Sequence, residues 1–333
     1  MKITRWLTTL ALTAGLVMPT AQAALEDPVQ MRVASFRVGS SWYVYAVTLG
    51  ELLREHLPAG SQIDTPPLGG GEANPELVSR GKAAIGLSFA VVNNWAKDGK
   101  IIFDQPLDNL RGLFGGLDQY YLGIVANTDK ASDSLEQFLD QDKPDTRIML
   151  LRRGSFGSRA GQQLLDLVGS SEEQVDERGG RYDFADFETI KGAFASGSAD
   201  LFIQVITRGH PAVMEMSQTS NVSFLQPTDE TLGKMKDTYG WNTATLDGGA
   251  FRGQDDPVKL PGTTSSVIVT ADMPEELAYT LVKTVCENLD AFKAGHKALA
   301  NFDCETKAWQ PELIGLPLHP GAERYYREQG WLK

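Results

Sequence analysis

Apolar and polar positions along this chain switch repeatedly between a period of two and a helical period. Met31–Phe36 is a short apolar run of strand character. Trp42–His56 then sets Val44, Val47, Leu49, Leu52 and Leu53 on a helical repeat. Ile63–Thr65 reads as a short strand, and Asn74–Arg80 as a short helix with Pro75 in its first turn. Ala84–Phe89, Leu122–Ala126 and Arg147–Leu151 read as buried strands, with a helix at Ser158–Val168. The pattern further predicts a helix over Asp186–Ala195, a strand over Ala199–Val205 and one long helix over Pro274–Ala294, capped by Asp272. Strands alternating with helices predict an α/β fold with parallel sheets built of βαβ units. Ligands of such sheets sit beyond the carboxyl ends of the strands, so function is expected in the strand-to-helix loops.

Three of those loops are rich in glycine and serine: Arg37–Trp42, Leu68–Glu72 and Gly154–Ser158. Glycine admits close approach of a ligand to the backbone. The first N–H groups of the following helix have no helical partner, and with the helix dipole they favour an anion. One such loop is ordinarily a tight turn with a serine cap; three at equivalent positions point to a common site. None has the spacing of a nucleotide-binding loop or of a serine nucleophile elbow.

The first 23 residues carry Lys2 and Arg5, an apolar run from Trp6 to Met18, and the small-x-small tripeptide Ala21-Gln22-Ala23. This is the layout of a signal peptide cleaved after Ala23, which predicts a periplasmic protein. The run is broken by Thr8, Thr9, Thr13 and Gly15, and it is short for a membrane core ~30 Å thick. The remaining 310 residues suffice for one large domain or two lobes. The formal charge of −12 becomes −14 without Lys2 and Arg5, which argues against nucleic acid or an anionic membrane surface as partner. Cys286 and Cys304 are the two cysteines, and in an oxidising compartment they are expected to pair; two buried thiols are the alternative. They make a poor metal site, since only His296 lies nearby and zinc takes about four ligands. His56, His210, His296 and His319 are scattered, and the acidic pairs Glu172-Glu173, Asp255-Asp256 and Glu275-Glu276 are adjacent in sequence, as on solvated surfaces. No enzyme, metal or cofactor is expected.

The stretches Gly39–Tyr43, Gly69–Gly71, Gly81–Leu87 and Gly154–Ser158, and above all the tail Leu316–Tyr326, resemble the TAXI family. These are substrate-binding subunits of tripartite ATP-independent periplasmic (TRAP) transporters. The resemblance covers nearly all of the chain after residue 23. It implies a two-lobed, type II-like periplasmic binding fold that closes on its ligand. It also implies membrane subunits driven by an ion gradient as partners, and a small carboxylate such as an acidic amino acid or a 2-oxo-dicarboxylate as ligand. Carried over by position, the ligand-facing residues are Gly39, Ser40, Ser41, Trp42 and Gly70 in lobe one and Gly154, Ser155, Ser158, Gln204 and Thr207 in lobe two. Arg37 and Val38 stand where the family usually has glycine, and Arg152-Arg153 where it has smaller residues. These departures point to a different or more highly charged anion. Arg37 is placed either to grip a carboxylate in bidentate fashion or to pair with a surface acid such as Glu72. The expected organisation is lobe one from 24–125 and 255–333, and lobe two from 126–254. The hinge is expected in Tyr121–Asn127 and Ser265–Thr270. A monomer is expected. An ABC-type binding protein on the same fold and a periplasmic enzyme are the alternatives.

Overall fold

Central strands of this chain are apolar on both faces, and that places them under helices. All five residues of β3 (Ile85–Phe89) and all six of β8 (Leu201–Ile206) are buried. The computed structural model describes residues 25–127, 132, 134–140 and 145–333; the segment read as a signal peptide lies outside them. The other strands are β1 (Gln30–Ala34), β2 (Gln62–Asp64), β4 (Leu110–Phe114), β5 (Gln119–Asn127), β6 (Arg147–Leu151), β7 (Arg181–Ala185), β9 (Val222–Phe224), β10 (Asn242–Leu246) and β11 (Val258–Thr270). They join in the order β2-β1-β3-β11-β5-β8-β6-β7, with β4 and β10 also on β11 and β9 on β5.

The parallel pairs expected from the alternation are present as β1–β2, β1–β3, β6–β7 and β6–β8. The centre is different. β11 is antiparallel to all of its neighbours. Ser265–Ile268 pairs with β3 and Val267–Thr270 with β4, whereas Gly262–Thr264 pairs with β5 and Val258–Gly262 with β10. One thirteen-residue strand thus runs through both halves of the sheet, changing partners at Thr264 and Ser265.

The long helix predicted over Pro274–Ala294 is two helices, Glu275–Glu287 and Leu289–Ala294. Asn288 leaves the helical conformation between them (φ −118°, ψ 36°), and its side-chain amide donates to Thr284 O at 2.9 Å. Pro274 is the N-cap residue, and Asp272 lies two residues earlier in a turn. The expected Cys286–Cys304 disulfide is present, joining that first helix to the chain 18 residues on. The tail docks on β4. Gly112 N–H donates to Pro317 O, and His319 N–H to Gly112 O, each at 2.9 Å. His319 Nδ1 accepts from Gly321 N–H at 3.1 Å, so its Nε2 carries the proton and donates to Met273 O at 3.0 Å. Among the described residues no helix is long and apolar enough to cross a membrane.

Candidate ligand-binding site

β1 and β6 are each followed by the sequence Arg-x-Gly-Ser, and both feed a helix through the same turn. After β1, Ser40 N–H donates to Arg37 O at 3.2 Å; after β6, Ser155 N–H donates to Arg152 O at 3.1 Å. The glycine between is left-handed in each, Gly39 at φ +87° and Gly154 at φ +81°, where any side chain would be strained. Each serine is an N-cap of near-identical backbone, Ser40 (−85°, 152°) for the helix Ser41–His56 and Ser155 (−80°, 149°) for Phe156–Leu167. Each hydroxyl accepts from the N–H three residues on, Tyr43 and Ser158, at 3.2 Å. The two helix N-termini therefore open from the two halves of the sheet onto one cavity of about 570 Å³.

Arg37, Ser40, Ser41, Trp42, Ser155 and Gln204 line that cavity. Gly39, Gly70, Gly154, Ser158 and Thr207 are not among its lining residues. Gly39 and Gly154 make the turns. Gly70 N–H donates at 2.9 Å to Asn74 Oδ1, whose buried amide also ties Ser35 O to Leu87 O, and the neighbouring Gly71 reaches the cavity instead. The Ser158 hydroxyl turns back to Ser155 O at 2.9 Å. Thr207 O accepts from His210 N–H at 3.1 Å, and it is His210 that lines the cavity.

Charge at the cavity is uneven. Arg152 pairs with Asp186 at 3.0 Å. The Asp186 carboxylate lies below its usual range because Thr189 N–H and hydroxyl bond to it, helped by Arg152. Glu72 pairs with Arg159 at 2.9 Å and not with Arg37. Among the described residues no carboxylate pairs with Arg37, whose guanidinium lies over the Phe36 ring, 5.2 Å from its centroid.

The cavity is bridged along one side. Phe89 of the first half stacks on Phe156 of the second at 4.6 Å and 15°, and Phe156 stacks in turn on Trp241 at 5.7 Å and 13°. The Glu72–Arg159 ion pair crosses beside them. Behind the cavity, Trp42 Nε1 donates to Ser265 Oγ at 2.9 Å. The Ser265 hydroxyl in turn donates to Asp118, which also accepts from Tyr45 OH at 2.8 Å. That network lies where β11 changes partners.

Residues 33–330 match the model of the NMT1-like family. The chain belongs to the NMT1-like family. Among solved structures, this NMT1-like chain is similar to a TctC solute-binding protein from Polaromonas, with 13% identity, TM-score 0.51, and 80% of this chain and 86% of that one covered. It is also similar to the periplasmic binding protein BugD (15% identity, TM-score 0.47, 91% and 95% covered). A third is MatC from Rhodopseudomonas palustris with bound malate (12% identity, TM-score 0.48, 91% and 97% covered). The NMT1-like chain has the two-lobed α/β fold of periplasmic solute-binding proteins.

Sequence reasoning missed the aromatic walls of the site, Phe36, Phe89, Tyr120, Phe156 and Phe187, because each reads as a core residue of its own element. It also missed Arg152 and His210 as lining residues. A signal for Arg152 was available: Arg37-Val38-Gly39-Ser40 and Arg152-Arg153-Gly154-Ser155 are the same motif after equivalent strands.

Proposed function

We propose that the chain is a periplasmic solute-binding protein that captures a small carboxylate between its lobes and delivers it to the membrane subunits of a TRAP transporter. The observation that carries this reading is the cavity itself. Two serine-capped helix N-termini, one from each half, converge there beside an arginine that no described carboxylate neutralises. An anion entering this cavity gains a charge-assisted bidentate bond from Arg37 and unpaired backbone donors on the far side. The family and the fold support binding over catalysis, and the TAXI-like tail supports the TRAP partner. Export by residues 1–23 supplies the compartment. We assign lobe one to 24–125 and 255–333 and lobe two to 126–254; the change of partners within β11 supports such a division, with the crossing at Thr264 and Ser265.

Calorimetry of the purified protein against a panel of small mono- and dicarboxylates tests the reading, which fails if none of them binds. With the ligand found, Arg37→Ala is expected to weaken binding by about 2 kcal/mol, and Arg37→Lys to restore part of it, because a charge-assisted bond is lost and the fork geometry is not replaced. Unchanged affinity in Arg37→Ala takes Arg37 out of the site. Uptake into vesicles carrying the membrane subunits should follow an ion gradient without ATP; ATP-dependent uptake would assign an ABC-type partner. Chemical turnover of the bound ligand would overturn the non-enzymatic reading.

A further inference from the structure

The cavity presents more ring surface than a short-chain acid can cover. Phe36, Trp42, Phe89 and Tyr120 face it from the first half, and Phe156 and Phe187 from the second. These rings are held firmly. Trp42 and Tyr120 both pack on Phe89, at 4.6 and 5.0 Å between centroids, and Phe156 lies between Phe89 and Trp241. Phe36 is 37% exposed at the mouth, beneath the Arg37 guanidinium. A four-carbon diacid would leave this apolar surface to water, whereas a planar ring would cover it. The volume of about 570 Å³ has room for one.

The polar groups of the cavity narrow the choice. Gln204 is 8% exposed, lines the cavity, and its Oε1 is buried with no hydrogen-bond partner. It lies against the first turn of the Phe156–Leu167 helix, where a Cβ on Gly157 would fall 1.5 Å from that oxygen. His210, four residues past the end of β8, also lines the cavity and leaves Nδ1 buried and unpartnered. Burial lowers the His210 pKa, which keeps the imidazole neutral. Unpartnered buried polar atoms are costly, and a ligand hydrogen-bond donor would satisfy the Gln204 oxygen. An ionised diacid brings acceptors only.

Building on the solute-binding reading, we propose that the ligand class is a ring-bearing monocarboxylate with a hydroxyl or amino group remote from the carboxylate. Its carboxylate meets Arg37, its ring lies among the aromatic walls, and its donor reaches Gln204.

Calorimetry of the purified exported protein with para-hydroxybenzoate, para-methoxybenzoate, benzoate and succinate tests this. Para-hydroxybenzoate should bind about tenfold more tightly than para-methoxybenzoate or benzoate, the worth of one satisfied buried acceptor, and more tightly than succinate. Gln204→Leu should reduce para-hydroxybenzoate to the benzoate level, with melting temperature reporting that the variant folds. The ligand series alone decides the matter if it does not. Equal binding of the hydroxy and methoxy compounds overturns the role of Gln204. Succinate binding as tightly as the aromatic acids overturns the ring assignment and leaves the solute-binding reading standing. Absence of binding by any carboxylate, aromatic or aliphatic, overturns both.

Discussion

Asp118 is buried at the junction of the two halves of the sheet, and no described cation pairs with it. Burial pushes its carboxyl above the usual carboxylate range, although hydrogen bonds from Ser265, Tyr45 and Tyr120 pull the other way. The folded state therefore holds this proton to higher pH than the unfolded chain does. Its stabilising contribution is complete below the unfolded value of ~3.9 and is lost as pH rises through the raised folded value. Asp118→Asn keeps an acceptor and cannot ionise, so its melting temperature relative to the parent should climb as pH is raised from 4 towards neutrality. A difference that stays flat with pH would mean that Asp118 ionises as freely in the folded protein as in the unfolded one. Residues of this kind are poorly legible in a sequence: Leu117-Asp118-Gln119 after two glycines reads as a turn, and nothing local reveals that β11 will cover it. Arg37, Ser40, Ser41, Trp42 and Ser155 were legible because a strand followed by a glycine-serine loop and a helix fixes where a loop must open. Phe89 and Phe156 were not, since their spacing is that of any buried ring; only the meeting of the two halves turns them into cavity walls.

Elements with one dominant periodicity were read almost to the residue, as with β6 and the helix Ser41–His56. Elements decided by tertiary contacts were not. The first seven residues of β11 contain Pro261-Gly262, a pair that signals a turn, yet Pro261 lies in register opposite Thr243 within an antiparallel pair. The break at Asn288 likewise follows from its side chain capping the preceding turn, and helical spacing continues across it. The helix that ends there is anchored by Cys286–Cys304, which closes a loop of 18 residues. The chain-entropy estimate for such a loop is ~3 kcal/mol. Cys286→Ser with Cys304→Ser should lose about that much in denaturant unfolding, while ligand affinity is retained, because neither cysteine lines the cavity. A loss of affinity in the folded double variant would tie the bridge to the site.

At the scale of the whole molecule, the Glu72–Arg159 ion pair joins the two halves without lining the cavity, and on the proposed solute-binding reading it would favour the closed state. Glu72 and Arg159 are 21% and 33% exposed at their side chains, so their ion pair is partly screened and worth at most about 1 kcal/mol. Arg159→Ala should therefore weaken ligand binding by up to about fivefold without removing a ligand contact, since the closed state becomes harder to populate. Solution scattering should show the radius of gyration shrinking when ligand saturates the parent, and shrinking at higher ligand concentration in Arg159→Ala. A radius indifferent to ligand in the parent would mean that closure is not coupled to binding. β11 has a different consequence, for the order in which the chain folds. Asn93 donates to Ser266, 173 residues later, and β3 and β4 both pair with the far end of that strand. As the chain emerges N-terminus first, the opening third lacks its middle strand until about four-fifths of the whole polypeptide has emerged. The early product is a set of open strand edges that must wait, and contacts so distant in sequence make for slow folding. A chain cut before Val258 should leave both halves unable to close their sheets, and thus be taken by proteases or aggregate rather than persist as a folded fragment.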